Sequence, residues 1–120
     1  MSPAMKNKRM APADVVQALK ADLVDARELL LTHGDKVIAG RLAELLQRLA
    51  AGDMSAILSV IAEANGGTGS LNDRVLSAAN GDAIEAWQET RVNQQLSALV
   101  SSIQDHAEAA RAAAWRGGGR

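Results

Sequence analysis

Apolar residues recur at intervals of three and four positions along four stretches of this chain, and glycine lies close after each of them. This spacing is the pattern of an amphipathic helix that turns one face toward a core. We predict helices over residues 14–33, 35–51, 53–65 and 82–114. Connections this short make consecutive helices pack against each other in antiparallel pairs.

The ends of these stretches carry capping signals. Asp14, Asp35 and Asp53 are the expected starts of the first three helices, since an Asp side chain accepts from a free backbone N–H there. Asp82 to Glu85 resembles a capping box at the start of the last helix. Gly34 and Gly52 suit the left-handed conformation that ends many helices. The residues predicted to face the core are Val15, Val16, Leu19, Leu23, Ala26, Leu29, Leu30; Ile38, Leu42, Leu45, Leu46, Leu49; Met54, Ile57, Leu58, Ile61; and Ile84, Trp87, Val92, Leu96, Leu99, Val100, Ile103, Ala107, Ala110.

The apolar residues are almost all aliphatic. The sequence has no Phe, Tyr or Cys, and its aromatic residues are Trp87 and Trp115. Ala and Leu favour closely packed helices, whereas sheets depend more on aromatic and β-branched residues. The predicted fold is therefore all-α, a compact bundle of four main helices with a Gly-rich loop and a short helical or irregular segment before the last long helix. The absence of Cys excludes disulfides, Cys-ligated zinc and thiol catalysis.

Charge divides the chain into three parts, which we predict to be a flexible basic arm (1–12), a single helical domain (13–114) and a flexible Gly/Arg tail (115–120). Residues 1–9 and 111–120 carry six basic residues and no acid, while all 14 acids lie between Asp14 and Glu108 together with seven bases. Such an acidic body disfavours nucleic acid as a ligand and suits a basic protein partner, although ordinary solubilising charge explains it equally well. No apolar run has the length of a signal peptide core or a membrane span, so we expect a cytoplasmic protein without membrane association.

The stretch NGGTGSLND, residues 65–73, differs in composition from the helices around it. It fails the phosphate-loop pattern because no Lys-Ser/Thr pair follows Gly69 and a helix, not a strand, precedes it. The glycines are expected to permit positive φ and close approach at a junction. After them, Ser70 to Asp73 has the form of a capping box, which favours a short helix over residues 71–79, while Asn80-Gly81 is a hairpin turn signal that favours an extended alternative.

The run Gly66-Gly67-Thr68-Gly69-Ser70-Leu71-Asn72-Asp73, followed by Asn80-Gly81, resembles the signature of a small uncharacterised bacterial domain family. Members of that family typically read Gly-Gly-Met-Gly-Ser, then Leu or Phe, then Asn-Asp, with Asn-Gly downstream. Thr68 stands here in place of the Met, and Asp82 in place of a His that is common after the Asn-Gly. The resemblance implies an α-rich fold and an immunity role beside a toxin, and it implies no demonstrated activity.

Candidate site residues concentrate around this loop. We expect Gly66, Gly67, Gly69 and Gly81 to shape it and a set of polar residues to contact a partner; that set is Asn65, Ser70, Asn72, Asp73, Asp82, Glu85 and Glu89. Asp82 and Glu85 have a capping role as the first explanation, partner contact as the second and catalysis as the third. His33 and His106 occur without a catalytic or metal-binding pattern. No catalytic residue, metal site or cofactor is predicted.

Two classes of function follow from these observations. The first is a non-enzymatic bacterial immunity protein that binds and neutralises a cognate toxin. The second is a helical adaptor or self-associating module, which would be a homodimer if its apolar stripes exceed what one bundle can bury. An enzyme or nucleotide binder that uses the Gly-rich loop is a third and weaker hypothesis.

Overall fold

The structure of this protein is a computed structural model that describes residues 11–67 and 69–118, with side chains as far as Ala114. Four α helices occur in this part of the chain: α1 (Pro12–Thr32), α2 (Lys36–Ala50), α3 (Ala56–Asn65) and α4 (Glu89–Gly118). The same residues contain no β strand. The predicted all-α bundle of four main helices is therefore confirmed.

Residues 66–88, which we call the connector, join α3 to α4. They form three short 3₁₀ turns, Leu71–Asp73, Ala78–Asn80 and Ala86–Gln88, with extended backbone at Arg74 and Ser77. The predicted short helix over residues 71–79 is thus replaced by two single turns with an extended stretch between them. The Asn80-Gly81 pair ends the second turn, with Gly81 at φ 87°, and no hairpin forms in the described residues.

Helix α1 begins earlier than its sequence signal indicates. Pro12 occupies the first turn and Ala11 is the N-cap, so Asp14 lies inside the first turn and does not cap the helix. Proline suits this position because its φ is already helical and its missing N–H would have no partner there. The predicted arm at residues 1–12 therefore overlaps α1 at Pro12, and residues 1–10 lie outside the described part.

The turn between α1 and α2 follows the predicted local chemistry. Gly34 adopts φ 87° after the last turn of α1, and the N–H of Asp35 donates to the carbonyl of Leu30 (2.9 Å). The Asp35 carboxylate then accepts from the N–H of Ile38 (3.0 Å) and caps α2. These two caps turn the chain back on itself, so α1 and α2 pack side by side.

Helix α3 begins at Ala56, three residues after its predicted start. Asp53 instead accepts from the N–H of Ser55 (3.1 Å) and from Arg48 (2.9 Å). The later start leaves Met54 before the helix, whereas Leu58 lies inside it, about 100° around the axis from the buried Ile57 and on the outer side. Both were predicted to be buried, but Met54 is 39% and Leu58 61% exposed.

Helix α4 also departs from the sequence prediction at both ends. It begins at Glu89, after a 3₁₀ turn in which the N–H of Glu85 donates to Oε1 of Gln88 (3.0 Å), and Asp82 does not cap it. It ends at Gly118, beyond the predicted Ala114, so residues 115–118 are helical and the rest of the predicted tail lies outside the described residues. Extending an existing helix costs little because each added residue brings a hydrogen bond.

The core lies between α1, α2 and α4, with α3 and the connector closing it. Most of the predicted inward positions are buried, and Val16, Leu29, Leu46, Ile61 and Leu99 are partly buried at its edge. Leu71 and Leu76 of the connector are fully buried as well. Trp87 is the clear error among the core predictions, because its side chain is 80% exposed. It precedes α4 by two residues, so it does not share the phase of the buried stripe.

Candidate functional site

The Gly-rich loop is shaped by three glycines with different tasks. A Cβ on Gly66 would lie 2.3 Å from the carbonyl oxygen of Ala62, so only glycine fits against the end of α3. Gly69 and Gly81 adopt φ of 85° and 87°, which side-chain-bearing residues rarely accept. Gly67 has neither a positive φ nor a close neighbour. Gly66 and Gly69 therefore allow the chain to turn sharply after α3.

Arg41 and Glu63 hold this loop against α2 and α3. Arg41 Nε donates to Glu63 Oε2 (2.7 Å), and Arg41 Nη2 donates both to Glu63 Oε1 (3.1 Å) and to the carbonyl of Gly69 (2.7 Å). Glu63 Oε1 also accepts from the N–H of Leu71 (3.0 Å). Burial acts to raise the pKa of Glu63, but the hydrogen bonds from Arg41 and Leu71 outweigh it and the pKa is lowered.

Arg74 fastens the middle of the connector. Its Nε donates to Asp35 Oδ2 (2.7 Å), and its Nη2 donates to Asp82 Oδ1. Asp82 Oδ2 accepts in addition from the N–H of Ser77 (2.9 Å). Burial alone would raise the pKa of Asp82, yet the bonds from Arg74 and Ser77 lower it overall. Arg74 therefore joins the N-cap of α2 to the second turn of the connector.

Two further contacts tie the connector to α1 and α4. Nδ1 of the buried His33 lies 2.8 Å from the carbonyl of Ala83, and the N–H of Ala83 donates to the carbonyl of His33 (3.0 Å). Asn93 of α4 accepts from the N–H of Leu76 and donates to its carbonyl, each at 2.8 Å. With these bonds, both backbone groups of Leu76 have partners although no neighbouring strand is present.

The residues predicted to contact a partner fall into two groups. Asn65, Asn72, Asp73 and Glu85 are exposed, although Asp73 Oδ2 also accepts from the N–H of Gly69 (3.1 Å). The others are engaged within the fold, since Ser70 Oγ donates to the carbonyl of Gly67 (2.7 Å), Asp82 binds Arg74, and Glu89 accepts from the N–H of Ala78 (3.0 Å). Ser70 does not cap the following turn, contrary to the sequence expectation.

Trp87 is the surface residue that sequence reasoning missed. Its side chain lies on the connector, between the exposed Glu85 and the start of α4. Val37, in the first turn of α2, is also largely exposed. The Arg74–Asp35 pair and the His33–Ala83 bonds bring the connector to the end of the bundle where α1 stops and α2 starts. We call this end of the bundle the connector end. It carries Trp87 and Val37, which have the most exposed large apolar side chains of the described residues.

Acidic groups predominate on the connector. Between Asp73 and Glu89 there are four acids and one base, Arg74, whose charge is already balanced by Asp35 and Asp82. Asp73 and Glu85 are exposed and lie outside that ion-pair network. An exposed apolar side chain on a segment with an excess of carboxylates is a surface that suits a protein with a basic rim and an apolar hollow.

A second polar cluster joins α1 to α4 at mid-helix, where Asp22, Ser102 and His106 meet. Asp22 Oδ2 accepts from Ser102 Oγ (2.8 Å) and lies 2.7 Å from Nδ1 of His106. In a catalytic triad, the serine hydroxyl hydrogen-bonds to one nitrogen of the imidazole and the carboxylate bonds to the other nitrogen. Here the hydroxyl donates to the carboxylate itself, so the cluster has the geometry of an interhelical contact and not of a catalytic triad.

Within residues 11–67 and 69–118, no group of three His, Cys, Asp or Glu side chains is arranged to hold a metal ion. No helix in that part of the chain combines the length and apolarity that crossing a membrane requires.

Comparison with known families found one match. A domain described as a domain of unknown function (DUF6966) is found at residues 31–85, which covers α2, α3 and most of the connector. The expected similarity to an uncharacterised domain family is thereby confirmed, and the matched region includes the Gly-rich loop. Searches of curated proteins and of solved structures gave no match to this chain.

Proposed function

We propose that this protein is a non-enzymatic immunity protein that acts in the cytoplasm of a bacterium and neutralises a cognate toxin by binding it with its connector end. The observation that carries the proposal is the exposed Trp87 on a segment that ion pairs and backbone bonds hold in one conformation. An ordered surface loses little conformational entropy on binding, so its contacts contribute more fully to affinity.

Trp87 has the properties of an interface anchor. Tryptophan is enriched among the residues that contribute most to binding, and its large apolar surface gains most when it enters a pocket of the partner. With Trp87 80% exposed, the isolated bundle gains almost none of that burial. A partner that covers the indole therefore supplies a stabilisation that the fold lacks.

The excess of acidic groups on the connector and on the domain as a whole indicates the chemistry of the partner. Asp73 and Glu85 are exposed on the connector, and the domain between Asp14 and Glu108 carries 14 acids against seven bases. Such a surface attracts a basic protein and repels nucleic acid. A toxin that acts on nucleic acid or phosphate-bearing substrates has a basic active site, which the connector end would cover.

Co-expression with the product of the adjacent gene tests this proposal. We expect the two proteins to co-purify and the growth defect caused by that product to be relieved. A Glu85→Lys variant is expected to weaken rescue because it reverses an exposed charge beside Trp87, whereas Glu44→Lys on the exposed surface of α2 is the matched control and should rescue fully. If the two proteins neither co-purify nor show rescue, the proposal is wrong.

A second candidate function, a self-associating or adaptor module, has support from a different surface. Met54 and Leu58 are exposed around a shallow apolar groove that also includes Arg111 and Ala114. A second copy that covers this groove would form a homodimer. Sedimentation over a concentration series, with Leu58→Ala as the comparison, tests it: a monomer at every concentration would remove this alternative.

A further inference from the structure

A groove runs between the connector and α4, and neither the ion pairs nor Trp87 explain it. Its volume is about 330 Å³; Leu71, Asn72, Arg74 and Val75 line one wall, and side chains of α4 between Asn93 and Gln104 supply the other. Leu71, Leu96 and Val100 are buried beneath it and give it an apolar floor. This volume lies at the lower end of the range of pockets that hold ligands, roughly 300–1,000 Å³.

The rim of the groove is polar and almost uncharged. Asn72, Ser97, Ser101 and Gln104 contribute amide and hydroxyl groups, which can both donate and accept hydrogen bonds. Gln104 uses its amide nitrogen to donate to the carbonyl of Ala64 (2.8 Å), which leaves its oxygen as an acceptor. A rim that offers both donors and acceptors can pair with the N–H and C=O groups of an extended peptide.

The charges near the groove disfavour an anionic ligand. Arg74 is the one charged side chain that lines the groove, and Asp35 and Asp82 already balance it. Asp73, next to the rim residue Asn72, is exposed and adds a negative charge. A ligand with basic side chains is therefore favoured at this position, and a phosphate or carboxylate is not.

From these observations we infer that the groove binds an extended peptide segment with an aliphatic side chain flanked by basic residues. The aliphatic side chain fills the floor above Leu96 and Val100, the peptide backbone bonds to the amide and hydroxyl rim, and the basic residues lie near Asp73. The inference rests on the proposed function in one respect, since it assigns this segment to the partner protein.

Short synthetic peptides test the groove without the partner. The probe is acetyl-Lys-Leu-Lys-amide, and the comparisons are acetyl-Glu-Leu-Glu-amide and acetyl-Lys-Gly-Lys-amide, each titrated while amide resonances are followed by NMR. We expect saturable shifts in residues 71–75 and 97–104 with a dissociation constant of about 1 mM or tighter, and at least about tenfold weaker binding of both comparison peptides.

Variants of exposed positions on α4 separate the groove from the rest of the surface. Ser101→Trp fills the groove and is expected to abolish the shifts, whereas Gln94→Trp, at an exposed position that does not line the groove, should retain them. The inference is overturned if no saturable shifts occur in these residues, if the acidic peptide binds equally well, or if Ser101→Trp binds like the wild type.

Failure of the groove proposal can be distinguished from failure of the proposed immunity function. Trp87→Ala is expected to bind the Lys-Leu-Lys probe normally, because Trp87 does not line the groove. Peptide binding without rescue of any toxin would contradict the immunity role alone. Rescue without peptide binding would contradict the groove alone.

Discussion

Replacement of Arg74 by Met is the most informative perturbation of the connector. The arginine side chain is 21% exposed, and it donates to two carboxylates, Asp35 and Asp82, whose side chains are only 8% and 11% exposed. Methionine retains part of the aliphatic packing but removes every one of these donors. The variant leaves two buried carboxylates without their counter-charge, which is more costly than the loss of a surface ion pair.

The magnitude follows from what remains at each carboxylate. Charge-assisted hydrogen bonds contribute about 1.5–3 kcal/mol each, and removal of one partner of a buried pair costs about 3–5 kcal/mol. Asp35 still accepts from the N–H of Ile38, and Asp82 still accepts from the N–H of Ser77, so neither is wholly unsatisfied. We therefore expect Arg74→Met to lower the free energy of unfolding by about 2–4 kcal/mol at neutral pH.

Urea denaturation followed by far-ultraviolet circular dichroism measures this change. Arg91→Met is the matched control, because Arg91 is exposed on α4 and its replacement is expected to stay within about 0.5 kcal/mol. Hydrogen exchange adds a local readout, in which the amides of Leu76 and Ser77 should lose protection. A loss below about 0.5 kcal/mol for Arg74→Met, with unchanged exchange, would refute the view that Arg74 holds the connector.

Three further predictions concern Trp87, Gly66 and Asp82. In thermal denaturation, the free energy of unfolding of Trp87→Ala should lie within about 0.5 kcal/mol of the wild-type value. Ile84→Ala, at a position that is 8% exposed, should lower it by about 2–5 kcal/mol. An equal loss for both variants would place Trp87 in the core. Gly66→Ala should lower the free energy of unfolding by about 1–3 kcal/mol in chemical denaturation, because the added Cβ would lie 2.3 Å from a backbone carbonyl oxygen. Gly67→Ala, with open space around its Cβ, should be neutral or slightly stabilising. A neutral Gly66→Ala would disprove the close approach. The pKa of Asp82 is lowered in the folded protein. Its contribution to the free energy of unfolding is therefore present above the unfolded pKa of about 3.9 and is lost as pH falls through the lower folded pKa. The free energy of unfolding measured against pH should fall less steeply in acid for Asp82→Asn than for the wild type, and an unchanged slope would contradict this.

The sequence predicts helices and local caps well because their causes are local. The stripes of α1 and α2 follow directly from the spacing of Leu19, Leu23 and Leu30 and of Leu42 and Leu49, which are buried as expected. The turn between these helices depends only on neighbouring residues, since a glycine with positive φ and an Asp cap are sufficient to define it.

The errors in the core prediction have two causes. Met54 and Trp87 precede the α helices to which their spacing assigned them, because α3 and α4 start later than their signals indicate. Leu58 lies inside α3, but it is about 100° around the axis from the buried Ile57, so the predicted stripe was too wide.

The network of the connector was beyond sequence reasoning for another reason. Arg74 and Asp35 are 39 residues apart, and His33 and Ala83 are 50 apart. No spacing rule joins such pairs, since they meet only after the helices have packed. Sequence analysis therefore could not separate the residues that the fold engages in ion pairs, such as Asp82, from exposed ones, such as Glu85.

The central claim is that the connector end binds a partner through Trp87, and an affinity measurement with the product of the adjacent gene tests it most directly. Isothermal titration should show that Trp87→Ala weakens binding by at least about 2 kcal/mol, a factor of roughly 30. Leu58→Ala, which removes an exposed apolar side chain on α3, should bind like the wild type. Equal affinities for Trp87→Ala and the wild type, or a loss confined to Leu58→Ala, would contradict the account.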